Sequence, residues 1–206
     1  MTEFIFNGPK KTAGLTLVLA HGAGGPMDSP FMETIAEGVA KAGIRAARFE
    51  FPYMRRRRET GKGGAPDAGP VLMQSWREAI EELGRGERLV IGGKSMGGRI
   101  ASMVADEAGV RGLVCLGYPF HPPGKPEQTR TRHLEVLRTP ALILQGSRDP
   151  FGKPDEVAQY KLSRSIRLKW LEDGDHSFKP RVHSGRTEAD NLGAAIADLV
   201  EFIEAL

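Results

Sequence analysis

Ser95 stands in Gly93-Lys94-Ser95-Met96-Gly97-Gly98, a G-x-S-x-G arrangement. A serine hydroxyl is a weak nucleophile until strain presents it and a neighbouring base takes its proton. A tight turn from strand to helix gives that presentation, and its crowded backbone calls for glycine two residues to either side of the serine. The helix that follows aims free backbone N–H groups at developing negative charge. With 26 glycines in 206 residues, the pattern arises by chance in roughly one such sequence in seven, so its surroundings decide. Leu89-Val90-Ile91-Gly92 before it reads as a strand and Met96 to Ala108 after it as a helix. A second glycine-rich turn, His21-Gly22-Ala23-Gly24-Gly25, directly follows an apolar strand and can leave N–H groups free.

A nucleophilic serine needs a base, and a base needs an orienting acid. The chain has five histidines: His21, His121, His133, His176 and His183. His176, in Gly174-Asp175-His176-Ser177-Phe178, follows a strand and precedes the last helix, which puts it at the sheet edge where open α/β folds bind ligands. His183 lies in the same polar stretch and is the rival. His121 and His133 fall in an irregular interval and read as solvated, and His21 reads as a brace for its own loop. Asp149, in Gln145-Gly146-Ser147-Arg148-Asp149-Pro150, follows a strand and is the leading acid. Asp155, Asp173 and Asp175 are alternatives that also read as cap or turn residues.

These residues need a scaffold, and the hydrophobic pattern supplies one. Leu15 to Ala20 is a continuous apolar run of the kind buried on both faces of a parallel sheet. Pro30 to Ala42 reads as a helix with Ser29 as N-cap and Gly43 beyond its end. Arg45 to Phe51 reads as a strand stopped by Pro52, and residues 54–69 as a loop rich in Arg, Gly, Lys and Pro. Val71 to Leu83 has helical spacing, closed by Gly84. Strands follow at 88–92, 111–116, 140–145 and 166–171, with helices at 96–108, 154–162 and 188–206. The alternation predicts an α/β fold: one domain over 1–206, with a mostly parallel sheet and helices on both faces. Between Gly117 and Thr139 a polar, proline-rich interval replaces a helix. It has room for a loop and one short helix near 133–138, but not for an inserted cap.

Composition narrows the function. A chain that is 40% hydrophobic and 27% charged, with net charge +3, is an ordinary globular protein, and its scattered basic residues do not argue for nucleic acid. The one cysteine, Cys115, lies in an apolar run, reads as a buried thiol and excludes a multi-cysteine metal site. The P-loop pattern is absent and no G-x-G-x-x-G opens the first turn, so neither nucleotide cofactor nor metal is expected. No secretory signal or bilayer-length apolar run is read, which predicts a cytoplasmic protein with no membrane partner. Arg55-Arg56-Arg57-Arg58 reads first as a solvated loop. It could also reach the pocket mouth and attract an anionic substrate.

The motifs His21-Gly22-Ala23-Gly24-Gly25, Phe51-Pro52-Tyr53, Gly93-Lys94-Ser95-Met96-Gly97-Gly98-Arg99, Arg148-Asp149-Pro150 and Gly174-Asp175-His176-Ser177-Phe178 together resemble the α/β-hydrolase superfamily over nearly the whole chain. They look most like its small uncapped members, the testis-expressed hydrolase-like proteins and, more distantly, the dienelactone hydrolases. The latter carry cysteine at the elbow where this chain has Ser95. The resemblance implies Ser95, Asp149 and His176 as a catalytic triad, with backbone N–H groups of Ala23 and Met96 as the oxyanion hole. It implies hydrolysis of a small ester, thioester or amide through an acyl-enzyme. The competing expectation is an interaction or ligand-binding module on the same fold.

Overall fold

A computed structural model describes residues 2–10, 14–84 and 86–206. Its strands are β1 (Phe4–Asn7), β2 (Thr16–Ala20), β3 (Arg45–Phe49), β4 (Leu89–Lys94), β5 (Gly112–Leu116), β6 (Ala141–Gly146) and β7 (Ile166–Leu171). They form one sheet in the order β1-β3-β2-β4-β5-β6-β7. Every pairing is parallel except β1 with β3. The helices are α1 (Pro30–Lys41), α2 (Pro52–Thr60), α3 (Gly69–Leu83), α4 (Met96–Ala108), α5 (Pro154–Val157) and α6 (Glu188–Glu204).

Strand side chains alternate between faces, and the core divides accordingly. Leu17 and Leu19 of β2, Val90 of β4, Val114 of β5 and Leu142 of β6 pack under α1 and α6. Val18, Ala20, Ile91, Cys115 and Ile143 point the other way, under α3 and α4. The central strands are therefore apolar on both faces. This explains their continuous hydrophobic runs and fixes their C-terminal ends along one edge. Cys115 is buried there, as expected.

The structure corrects several readings. Residues 52–60, read as a strand stop at Pro52 followed by the start of a loop, form α2. Pro52 sits in its first turn and Gly61 closes it at φ 65°. Only Tyr53 and Met54 of this helix are buried, so there was no apolar stripe to find. Ion pairs from Arg56 to Asp67 and from Arg58 to Glu50 hold it instead. The helix expected over 154–162 ends at Val157. Beyond it the chain serves the neighbouring loop: Ser163 N–H and Oγ donate to the carbonyls of Leu134 and Leu137. β1, an edge strand of four residues, was not anticipated.

The interval between β5 and β6 carries one 3-10 turn, Arg132–Glu135, and no cap. It is less solvated than its composition suggests. Tyr118, Phe120, Leu134 and Leu137 are buried. The expectation of solvated histidines fails as well. His121 is buried against Glu156 at 3.2 Å. His133 Nε2 lies 2.8 Å from Ser102 Oγ, tying the turn to α4.

Candidate active site

Ser95 joins β4 to α4 at φ 50°, ψ −113°, a backbone conformation that non-glycine residues rarely adopt and that needs the surrounding fold to hold it. Its N–H donates to Leu116 O at 2.9 Å, and Arg99 N–H returns to its own carbonyl at 3.0 Å, starting the helix. The flanking glycines have a steric reason. A Cβ at Gly93 or at Gly97 would collide with the Ala20 carbonyl of β2, so the elbow can lie against that strand only without side chains there.

The loops after β6 and β7 reach the same point. Ser95 Oγ is 2.9 Å from His176 Nε2, and His176 Nδ1 is 2.7 Å from Asp149 Oδ2. Asp149 is fully buried. Its Oδ1 accepts Phe151 N–H at 2.9 Å, and its Oδ2 also accepts Gln145 Nε2 at 2.9 Å. The imidazole packs on the Phe151 ring at 4.3 Å, and Lys94 Nζ donates to the His176 carbonyl. That ammonium also faces the rings of Phe31 and Phe178, at 5.1 and 5.7 Å. Burial brings the Lys94 pKa down to about 8, against a smaller opposing pull from Asp149 and Asp175.

The alternatives lie elsewhere. Asp173 receives Arg181 N–H at 2.7 Å, pairs with the Arg181 guanidinium at 2.5 Å and meets Arg148 at 3.0 Å. The hydrogen bonds from Arg181 hold its carboxyl at about 2. Asp175 Oδ1 accepts the N–H groups of Ser177 and Lys179, a turn role. Asp155 is in the first turn of α5, and His183 is exposed on the 3-10 turn Val182–Ser184. Ser102 also contacts a histidine, but it lies in the middle of α4 and donates to Arg99 O at 2.7 Å. There it has no free helix N-terminus to receive an oxyanion.

His21 braces its loop as expected. Phe51 N–H donates to Nε2 at 3.1 Å, so the other nitrogen, Nδ1, carries the proton and donates to Gly22 O at 2.7 Å. Burial lowers its pKa and keeps the ring neutral. Tyr53 Oη donates to the carbonyls of Gly22 and Ala23, both at 3.1 Å. Both carbonyls thus point towards Tyr53. Ala23 and Met96 both line a cavity beside Ser95.

Sequence reasoning assigned no role to Gln145 or Lys94. Gln145 carried a signal: it is the one polar side chain in the buried strand Ala141–Gly146. Among the described residues no group of three or more His, Cys, Asp or Glu could hold a metal, and no helix is long and apolar enough to cross a membrane.

A family profile described as "Alpha/beta hydrolase domain" matches residues 13–204. The chain belongs to this alpha/beta hydrolase family. Similar solved structures include the dienelactone hydrolase from Anabaena variabilis, at 21% identity and TM-score 0.73, covering 99% of this chain and 91% of that one. An α/β serine hydrolase without a lid from Xanthomonas campestris is 20% identical with TM-score 0.69, covering 100% and 91%. Est1E from Butyrivibrio proteoclasticus, solved with ferulic acid bound, is 15% identical with TM-score 0.67, covering 99% and 94%. Like the Xanthomonas protein, this alpha/beta hydrolase has no lid: it is a single domain with a seven-stranded, mostly parallel sheet.

Proposed function

We propose that this α/β hydrolase cleaves small esters through a Ser95–His176–Asp149 triad. The observation that carries the reading is the unbroken line from Ser95 Oγ to His176 Nε2 at 2.9 Å and from His176 Nδ1 to Asp149 at 2.7 Å, built on a strained strand-to-helix turn. His176 takes the Ser95 proton as Oγ attacks the ester carbonyl, and Asp149 stabilises the imidazolium. The N–H groups of Ala23 and Met96 receive the oxyanion. The tetrahedral adduct collapses, the alcohol leaves with the proton from His176, and an acyl group remains on Ser95. Water, deprotonated by His176, then releases the acid. Esters are preferred to amides because an alcohol leaves with less help from the general acid. The bound ferulic acid of Est1E supports a small ester-like substrate class.

The test is p-nitrophenyl butyrate hydrolysis by wild type and by Ser95→Ala protein of unchanged melting temperature. Loss of about a thousandfold or more in kcat is expected when a nucleophile is removed. Undiminished turnover in the variant would falsify the mechanism.

A further inference from the structure

Two cavities meet at Ser95, sharing Ala23, Ser95 and Phe151 in their walls. The first, about 370 Å³, runs past Phe31 and Met32 and is largely apolar, with Lys94 and Ser29 among its polar lining residues. The second, about 310 Å³, runs towards α4 and the segment between β5 and β6, and Arg99 and Arg130 line it.

Arg99 is one helical turn after Ser95, so the two side chains leave the same face of α4. Arg130 is fixed through its backbone: its N–H donates to Phe120 O at 2.7 Å, and its carbonyl accepts Tyr118 Oη at 2.9 Å. Other arginines near the site have partners within the fold. Arg56 pairs with Asp67 and Arg58 with Glu50 and Asp28, while Arg57 donates to Gly64 O and Arg181 pairs with Asp173. Three members of the 55–58 run thus make structural contacts. Among the described residues, Arg99 and Arg130 have no carboxylate within ion-pair distance. The Arg99 Nη1 meets only the Met103 sulfur, at 3.8 Å, and its buried Nε has no acceptor. Arg45, Arg48 and Arg57 also leave Nε unpaired, but Arg48 and Arg57 hydrogen-bond through terminal nitrogens and Arg45 lies over the Phe6 ring. Asp67, in the same cavity wall, is already taken by Arg56 and by Tyr53 N–H. Burial, together with the like charge of Arg130, pulls the Arg99 pKa below its usual value, the direction expected of a cation lacking a counter-ion.

We propose that Arg99 and Arg130 form a subsite for a carboxylate carried by the substrate, so that this hydrolase acts on small esters with a free carboxylate on one side of the scissile bond and an apolar group on the other. The assignment deepens the esterase reading and rests on Ser95 as nucleophile. Two guanidinium forks match the two oxygens of a carboxylate and repel each other without it, so the anion relieves a charge the fold leaves uncompensated.

Two measurements test it. Glutarate binding to Ser95→Ala protein, followed by calorimetry, isolates the subsite from catalysis. Adding Arg99→Gln, or adding Arg130→Gln, whose guanidinium makes no hydrogen bond or ion pair among the described residues, should each weaken binding about tenfold or more, as loss of a charged hydrogen-bond partner does. Separately, kcat/KM is compared for monomethyl glutarate and its neutral analogue dimethyl glutarate. Wild type should prefer the anionic ester, and each arginine change should lower the anionic-to-neutral ratio about tenfold or more. Unchanged glutarate binding, or a ratio that does not move while dimethyl glutarate is still hydrolysed, overturns the subsite and leaves the Ser95 reading intact. Arginine-dependent glutarate binding with neither ester hydrolysed supports the subsite and rejects the esterase reading. Glutarate binding lost in Lys94→Met but kept in both arginine variants would assign the anion to the other cavity and overturn the proposal.

Discussion

Replacing Asp149 by Asn tests the polar centre of the site, because three donors converge on its two oxygens. Oδ1 accepts Phe151 N–H, and Oδ2 accepts both Gln145 Nε2 and His176 Nδ1. Asparagine offers one acceptor and one NH2 group. With its oxygen towards His176, the NH2 opposes Phe151 N–H, a donor facing a donor in a fully buried turn. With the NH2 towards His176, the imidazole must shift its proton to Nε2, where it meets Ser95 and can no longer accept. Gln145 makes this second arrangement accessible. Its Oε1 is buried and unpaired, so an amide flip would let it accept from the new NH2. That flip also turns Nε2 away from the carbonyls of Tyr118 and Gly152. Either arrangement strands a buried polar group, with a stability loss of about 1–3 kcal/mol. In both, the imidazolium loses its anion or the base loses its tautomer, and kcat should fall by about 10³ to 10⁴. Steady-state hydrolysis of p-nitrophenyl butyrate, alongside a thermal melt to verify folding, measures both effects. Asp173→Asn and Asp175→Asn should lose only a small fraction as much activity, since those carboxylates serve Arg181 and a turn. A folded Asp149→Asn enzyme with near wild-type kcat, or greater damage from Asp175→Asn, would refute this reasoning.

Other perturbations have definite directions. His21 folds neutral with a lowered pKa. The unfolded chain therefore takes the proton first, and stability present above about pH 6.5 is lost as pH falls, by at most about 1.4 kcal/mol per pH unit. Urea unfolding from pH 7 to 5 should show this fall in wild type and a shallower one in His21→Gln; parallel curves would contradict it. Lys94, with a pKa of about 8 in the fold, works in the same direction at higher pH. Between pH 8 and about 10.4 the unfolded chain holds the extra proton. The stability difference between wild type and Lys94→Met should therefore move in favour of wild type across that window, and a constant difference would count against the buried ammonium. Because no cap covers the site, acetate and butyrate esters should be hydrolysed faster than emulsified triglyceride, without activation at the interface. Preference for the emulsion would reverse that reading.

What the sequence revealed, and what it hid, divides along physical lines. The central strands and α4 were legible because burial on both sheet faces leaves uninterrupted apolar runs, and because the elbow admits only glycine where it touches Ala20. Ser95, His176 and Asp149 were legible because each follows a strand at one sheet edge, and the structure brings these three side chains together. Helix α2 was hidden because ion pairs rather than an apolar stripe hold it. The burial of His121 and the half-burial of His133 were hidden because a proline-rich segment packs through Tyr118, Phe120 and Leu134, which have no regular period. Gln145, Lys94 and Arg99 were visible as residues, but their relevance depends on which neighbours satisfy them. Only the folded arrangement shows that Gln145 holds Asp149 and Lys94 the His176 carbonyl, while Arg99 lacks a carboxylate.

The central claim is that Ser95 is an activated nucleophile, and it can be tested without knowing the natural substrate. A fluorophosphonate reacts with a serine whose proton a neighbouring base removes, and trypsin places Ser95 in the peptide 95–99 and Ser102 in the peptide 100–111. Mass spectrometry of the labelled protein should find the adduct on 95–99 alone, absent from Ser95→Ala and strongly reduced in Asp149→Asn. An adduct on 100–111, or no adduct on the folded wild-type protein, would contradict the account.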